Sequence, residues 1–205
     1  MVTSSLARLT LVCVAVAACG EYPHANPFDP ATSISISING PDSAHSIGED
    51  LSFTFSASRS WQDVAPQWLS GNDGILGERG PGQFQVNGLG TVDVLVAVGV
   101  HTGSHRVVVI QRPKHVVFCY FAACPTSLAL GGTATLNLVQ KDSLGTALLL
   151  GQVPAQVQYD VRPAGVLQIV TGTPSSVQVK AIATGRAYVV AALGASMDSV
   201  ALTVQ

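Results

Sequence analysis

The chain has 205 residues, room for one large domain or two small ones at ~100–200 residues each. Charged residues make up 11% and the net charge is −2, which excludes a basic nucleic-acid binder, because neutralising phosphates needs a surplus of Lys and Arg. Hydrophobic residues reach 47%, too many for a disordered chain, yet no apolar run is long enough to read as a membrane-spanning helix.

The chain opens with an address. Arg8 is the only positive side chain before Asp29, and it precedes an apolar run, Leu9–Ala18. That run has the length of a signal-peptide core and is too short to cross a bilayer. Ala17 and Ala18 are small residues where a peptidase must approach the backbone. Residues 1–18 therefore read as a secretory signal peptide. Val16-Ala17-Ala18-Cys19 also resembles the lipobox of bacterial lipoproteins. The resemblance implies cleavage before Cys19, acylation of Cys19 including palmitate, and several acyl chains on one residue, enough for stable anchoring. Gly20, in place of the Asp that commonly retains Gram-negative lipoproteins at the inner membrane, points to the outer membrane. The alternative is an ordinary signal peptide cut at Ala18, with Cys19 incidental.

Residues 19–31 form the expected tether. Pro23, Pro27 and Pro30 block helix and sheet ladders here. Losing residues 1–18 removes Arg8 and no acid, so the net charge moves from −2 to −3. Attraction to anionic lipid is then not what holds the protein at a membrane.

From residue 32 the dominant signal is period two. Ile34, Ile36 and Ile38 alternate with serines, and Leu51, Phe53, Phe55 and Ala57 alternate with Ser52, Thr54 and Ser56. Val92, Val94, Val96 and Val98 share one face of a strand. The same alternation returns at Val177 and Val179 and at Val200, Leu202 and Val204. One apolar and one polar face per strand is the mark of antiparallel sheets over a core. Turn signals such as Asn39-Gly40-Pro41-Asp42 and Gly80-Pro81-Gly82 punctuate the gaps. The fold class is all-β, a sandwich or barrel of many short strands.

The pattern repeats. Ile47-Gly48 through Phe55 aligns with Leu130-Gly131 through Leu138, Gln67-Trp68 with Gln158-Tyr159, and Leu89-Gly90 through Ala97 with Thr184-Gly185 through Ala192. The expected domains are residues 32–111 and 112–205, joined at Arg112-Pro113-Lys114. Extra length in the second copy lies around Ser143–Pro154. Trp68 and Tyr159, at equivalent positions, are expected to fill the two cores.

The order of these segments resembles group 2 bacterial immunoglobulin-like domains, as in intimin- and invasin-like adhesins and many surface lipoproteins. That order is an entry strand, a Gly-x-x-hydrophobic strand, a strand with an aromatic residue, then Gly-Thr followed by an alternating Val strand. The resemblance covers nearly all of residues 32–205 and implies two tandem immunoglobulin-like antiparallel β-sandwiches. The family usually carries Trp-Ser-Ser at the aromatic. Here the first copy has Trp68-Leu69-Ser70 and the second Tyr159-Asp160-Val161.

Candidate chemistry is sparse. Of four cysteines, Cys13 leaves with the signal peptide and Cys19 takes lipid. Cys119 and Cys124 remain, a pair in an oxidising compartment. A disulfide, two free thiols, or a metal site with His115 are the readings, the disulfide first. His101 and His105, placed in a hairpin loop, read as a metal pair or as solvated loop residues; Asn72-Asp73-Gly74 reads as oxygen ligands for calcium or as a turn. The turn and loop readings are preferred, so no metal, catalytic residue or cofactor is expected. Trp61 lies near a loop and is a candidate ligand contact, because an exposed indole can stack on a sugar or anchor a protein.

These readings combine into a lipid-anchored, non-enzymatic cell-envelope protein, expected at the outer membrane, that binds or adheres through its immunoglobulin-like domains. Its partners would be the membrane, through the lipid, and an envelope protein or surface glycan. The alternative is a structural spacer or accessory subunit of an envelope complex.

Overall fold

A computed structural model describes residues 28–31, 33–60 and 64–205. Among these residues, seventeen strands fall into two sets, each with its own core.

The first set comprises β1 (Ile36–Asn39), β2 (Ser43–Ala44), β3 (Asp50–Ser52), β4 (Thr54–Ala57), β5 (Gln67–Ser70), β6 (Leu76–Gly80), β7 (Gln83–Val86), β8 (Gly90–Val98) and β9 (His101–Val109). One sheet runs β2-β9-β8-β5; facing it are β3-β7-β6 and the pair β1-β4. The segment expected as one strand, Leu51–Ala57, is broken at Phe53. Before the break it pairs with β7, and after it with β1. Phe53 N–H donates to the Gly82 carbonyl at 2.7 Å. This approach requires glycine: a Cβ on Gly82 would lie 2.4 Å from the Phe53 carbonyl oxygen. Val92, Val94 and Val96 of β8 are buried against an aromatic cluster. Phe53 meets Phe84 edge-on at 5.7 Å, and Phe55 meets Trp68 at 5.8 Å.

The second set comprises β10 (His115–Phe118), β11 (Ser127–Leu128), β12 (Thr133–Lys141), β13 (Gln158–Arg162), β14 (Leu167–Thr173), β15 (Ser176–Ala181), β16 (Gly185–Leu193) and β17 (Ser196–Val204). Its sheets run β10-β12-β15-β14 and β11-β17-β16-β13. Leu136, Leu138, Val177, Val179, Val189 and Leu202 fill the space between them. Tyr159 sits at the rim of this core, where Trp68 is buried in the other.

Both units have the immunoglobulin-like arrangement: the entry segment splits between the two faces, and the final hairpin forms the middle of a four-strand sheet that packs against the other face. Two short pairs depart from the antiparallel rule. β2 runs parallel to β9, and β11 parallel to β17. The entry segment crosses from one sheet to the other and continues in the same direction, so it meets the last strand head to head. The histidine loop is also corrected. The β8–β9 hairpin turns at Gly99-Val100, because Val98 pairs with His101, and this puts His101 and His105 inside β9.

Candidate functional site

Three loops converge at the boundary between the units. The entry segment of unit one supplies Ser46 and Ile47, the end of β9 leads to Gln111, and the long β12–β13 connection supplies Asp142 to Gln152. That connection contains the extra length of the second copy. It folds back as a hairpin: Asp142 N–H donates to the Thr146 carbonyl at 2.9 Å, and Leu148 N–H to that of Gln140 at 3.0 Å. Asp142 is fully buried, with 0% exposure. Its Oδ1 accepts from Leu144 and Thr146 N–H, at 3.1 and 2.9 Å. Its Oδ2 reaches the other unit, accepting from Ile47 N–H at 3.0 Å and Gln111 Nε2 at 2.9 Å. Four donors satisfy a carboxylate that burial would otherwise make costly.

The outer part of the same connection is apolar and uncovered. Leu150 and Val153 are almost wholly exposed, and Leu149 is exposed beside them. Across a shallow cleft stands the loop between β10 and β11, with Tyr120 and Phe121 exposed. Cys119 and Cys124 are bonded across that loop, with their Cα atoms 5.4 Å apart. Tyr120 and Phe121 meet edge-on at 4.9 Å, and Lys141 Nζ sits 3.8 Å over the Tyr120 ring. Two adjoining clefts of about 290 and 380 Å³ share Phe121, Leu138, Val139 and Ser175 as walls or floor. The Gln140 amide is spent within the fold, bonding Ala155 and Pro174, and Gln152 Oε1 accepts from Gln111 N–H.

Other sequence candidates are not brought together. Cys19 and Trp61 lie outside the described residues. His101 and His105 are four residues apart on one strand, about 13 Å between Cα atoms, too far to share an ion. His105 Nε2 lies 3.2 Å from Asp42 Oδ1 and 3.3 Å from the Pro41 carbonyl, with its ring 5.6 Å from that of Phe53. Asn72 forms a turn, its Oδ1 accepting from Gly74 N–H at 2.9 Å and its carbonyl from Ile75 and Leu76. Among the described residues no cluster of three or more His, Cys, Asp or Glu forms. Arg106 is raised above its usual range by its hydrogen bond to Asp93, and the Arg162 hydrogen bond lowers the carboxyl of Asp160. Both pairs are solvated surface contacts between strand residues.

Sequence reasoning missed the apolar cleft and the hydrogen-bond network that spans the joint. A signal for the cleft was present: Tyr120-Phe121 and Leu148-Leu149-Leu150 are bulky residues in loops, with no period-two alternation to bury them. The network carried none, because Asp142 and Ile47 are 95 residues apart.

No protein-family model matches the chain, and no curated protein matches it. Solved structures are similar at low identity. Domains 4 and 5 of the S-layer protein SbsC align at 16% identity and TM-score 0.41, over 84% of this chain and 98% of that one. The Escherichia coli adhesin FdeC aligns at 14% and 0.44, over 84% and 66%. Invasin, described as a bacterial integrin-binding protein, aligns at 16% and 0.42, over 84% of this chain and 41% of its own. The chain spans only 28% of a longer SbsC structure.

Proposed function

We propose that this chain is a lipid-anchored, non-catalytic binding protein of the bacterial cell envelope, held at the outer membrane through Cys19. The observation that carries the binding role is the uncovered apolar surface of Phe121, Leu149, Leu150 and Val153. Exposed aliphatic and aromatic side chains clustered on adjacent loops are a contact surface rather than a solvated one. Its chemistry fits a protein partner: aliphatic and aromatic side chains dominate this surface, and such a patch is the mark of a protein contact.

Chemical cross-linking in intact cells, followed by capture and mass spectrometry, tests this reading. An envelope protein recovered by the native chain and lost with the Phe121→Ser/Leu150→Ser double variant is the expected result. Equal recovery by both chains would remove the cleft from the function. Retention of the Cys19→Ala chain in the membrane fraction, at unchanged mass, would overturn the lipid anchor.

A spacer role is the second reading, and the hydrogen-bonded joint favours it. A chain whose two units are tied together transmits position along its length, whatever it binds.

A further inference from the structure

We propose that the network around Asp142 and Gln111 is a latch that locks the two immunoglobulin-like units into one rigid strut with a single angle between them. Tandem domains joined by a short linker move relative to one another by default, unless their interface is extensive or specific. Here the covalent joint is Arg112-Pro113-Lys114, and the interface that limits it is polar, buried and directional.

Gln111 is 5% exposed and uses every polar atom of its side chain across the joint. Its Nε2 donates to Asp142 Oδ2 at 2.9 Å and to the Ala147 carbonyl at 3.2 Å, and its Oε1 accepts from Leu149 N–H at 2.8 Å. Its backbone N–H donates to Gln152 Oε1 at 3.2 Å. On the other side of Asp142, Ile47 N–H donates to Oδ2, and the hydroxyls of Ser46 and Ser143 pair at 2.7 Å. The linker is tied in as well: Arg112 N–H donates to the His45 carbonyl and Lys114 N–H to that of Lys141.

The physical consequence follows from burial. An apolar interface tolerates sliding, because contact area changes gradually with angle. A buried carboxylate does not. Tilting the units would withdraw Ile47 N–H and Gln111 Nε2 from Asp142 Oδ2 and leave part of a desolvated charge without a donor. Only one arrangement satisfies all the groups, so the network selects an orientation. The β12–β13 connection then has two faces, one holding unit one and the other carrying Leu149 and Leu150. The latch thus fixes the apolar cleft relative to unit one. It stands whether or not the chain carries lipid or binds a partner.

Single-molecule energy transfer on the full chain tests it, with dyes at Thr102→Cys and Thr133→Cys, exposed positions near the ends of the units away from the joint. The native chain is expected to give one narrow transfer peak. Gln111→Ala removes bonds across the joint while leaving the internal bonds of the Asp142 loop, and Gln111→Glu sets a second carboxylate against Asp142. Either is expected to widen the peak about twofold or more, with the circular dichroism of both units unchanged. Asp142→Ala is expected to do the same, but it also removes the internal bonds of its loop; if it fails to fold, the Gln111 variants decide. A broad peak in the native chain, or a peak unchanged by Gln111→Ala and Gln111→Glu, would overturn the latch.

Discussion

Gly90 and Gly185 have nearly the same backbone conformation, φ +131° and +135°, at the start of β8 in one unit and β16 in the other. Residues with a side chain rarely adopt such a φ. The repeat thus extends to a shared backbone requirement, and it predicts two unequal costs. A Cβ on Gly185 would meet Val166 at an ordinary 3.5 Å, so Gly185→Ala suffers mainly backbone strain, about 1–3 kcal/mol. A Cβ on Gly90 would lie 3.0 Å from Ile75 Cδ1, so Gly90→Ala must also displace a packed side chain. Urea unfolding should rank native above Gly185→Ala above Gly90→Ala. Equal losses would mean that Ile75 moves without cost, and the reverse order would overturn the ranking.

Asp198 closes the edge of the second sandwich. Its Oδ2 accepts from Phe118 N–H at 2.7 Å, and Ser196 Oγ accepts from Val116 N–H at 3.3 Å. Side chains of β17 thus take the place of a neighbouring strand beside β10, and an edge with satisfied N–H groups cannot recruit a foreign strand there. Asp198→Ala leaves a part-buried donor unpaired and should lower stability by about 1–3 kcal/mol, whereas Asp198→Asn keeps an acceptor and should cost less. Equal losses in the two variants, measured by denaturant unfolding, would assign the effect to packing instead.

What sequence reasoning could reach was set by range. Period two places Val92, Val94 and Val96 inward without reference to any other strand, because alternation is a property of the strand itself. The repeat was legible through its glycines for the same reason. The switch of pairing partner at Phe53 was not, since it depends on Gly82 approaching from another hairpin. His101 and His105 were misplaced because Gly103 reads as a turn residue. In the fold it lies in β9 opposite Val96, where a Cβ would come within 2.9 Å of the Ile36 carbonyl oxygen. The network at the joint depends on the Ile47 backbone N–H and the Gln111 side chain, 95 and 31 residues from Asp142, and neither distance leaves a pattern in the sequence.

The disulfide holds one wall of the apolar cleft. Cys119 and Cys124 are separated by five positions, so in the chain-entropy account their bond is worth about 2 kcal/mol. The Cys119→Ser/Cys124→Ser variant should lose about that much stability in unit two and leave unit one unchanged. Its Tyr120-Phe121 loop should also become more susceptible to chymotrypsin. Alkylation offers a direct check: the native chain should take up label at these two positions only after reduction. Labelling without reductant would show that the thiols are free.

Tyr159 makes the second unit sensitive to alkali. Burial pushes its phenol up to about 12 from the ordinary 10, and its hydroxyl donates to the Thr173 carbonyl at 2.8 Å. A raised folded-state value means that the folded chain holds this proton more tightly than the unfolded chain does. The stabilisation is therefore complete below the unfolded value near 10 and is lost as pH rises through about 12. Tyr159→Phe removes both the hydrogen bond and the titration. The native chain should be the more stable at neutral pH, and its advantage over Tyr159→Phe should shrink as pH climbs through that window. Unfolding midpoints of the two chains, measured as a difference, cancel the titration of other basic groups. A gap that stays constant to the top of the window would show that the Tyr159 phenol keeps the same affinity for its proton when the chain unfolds.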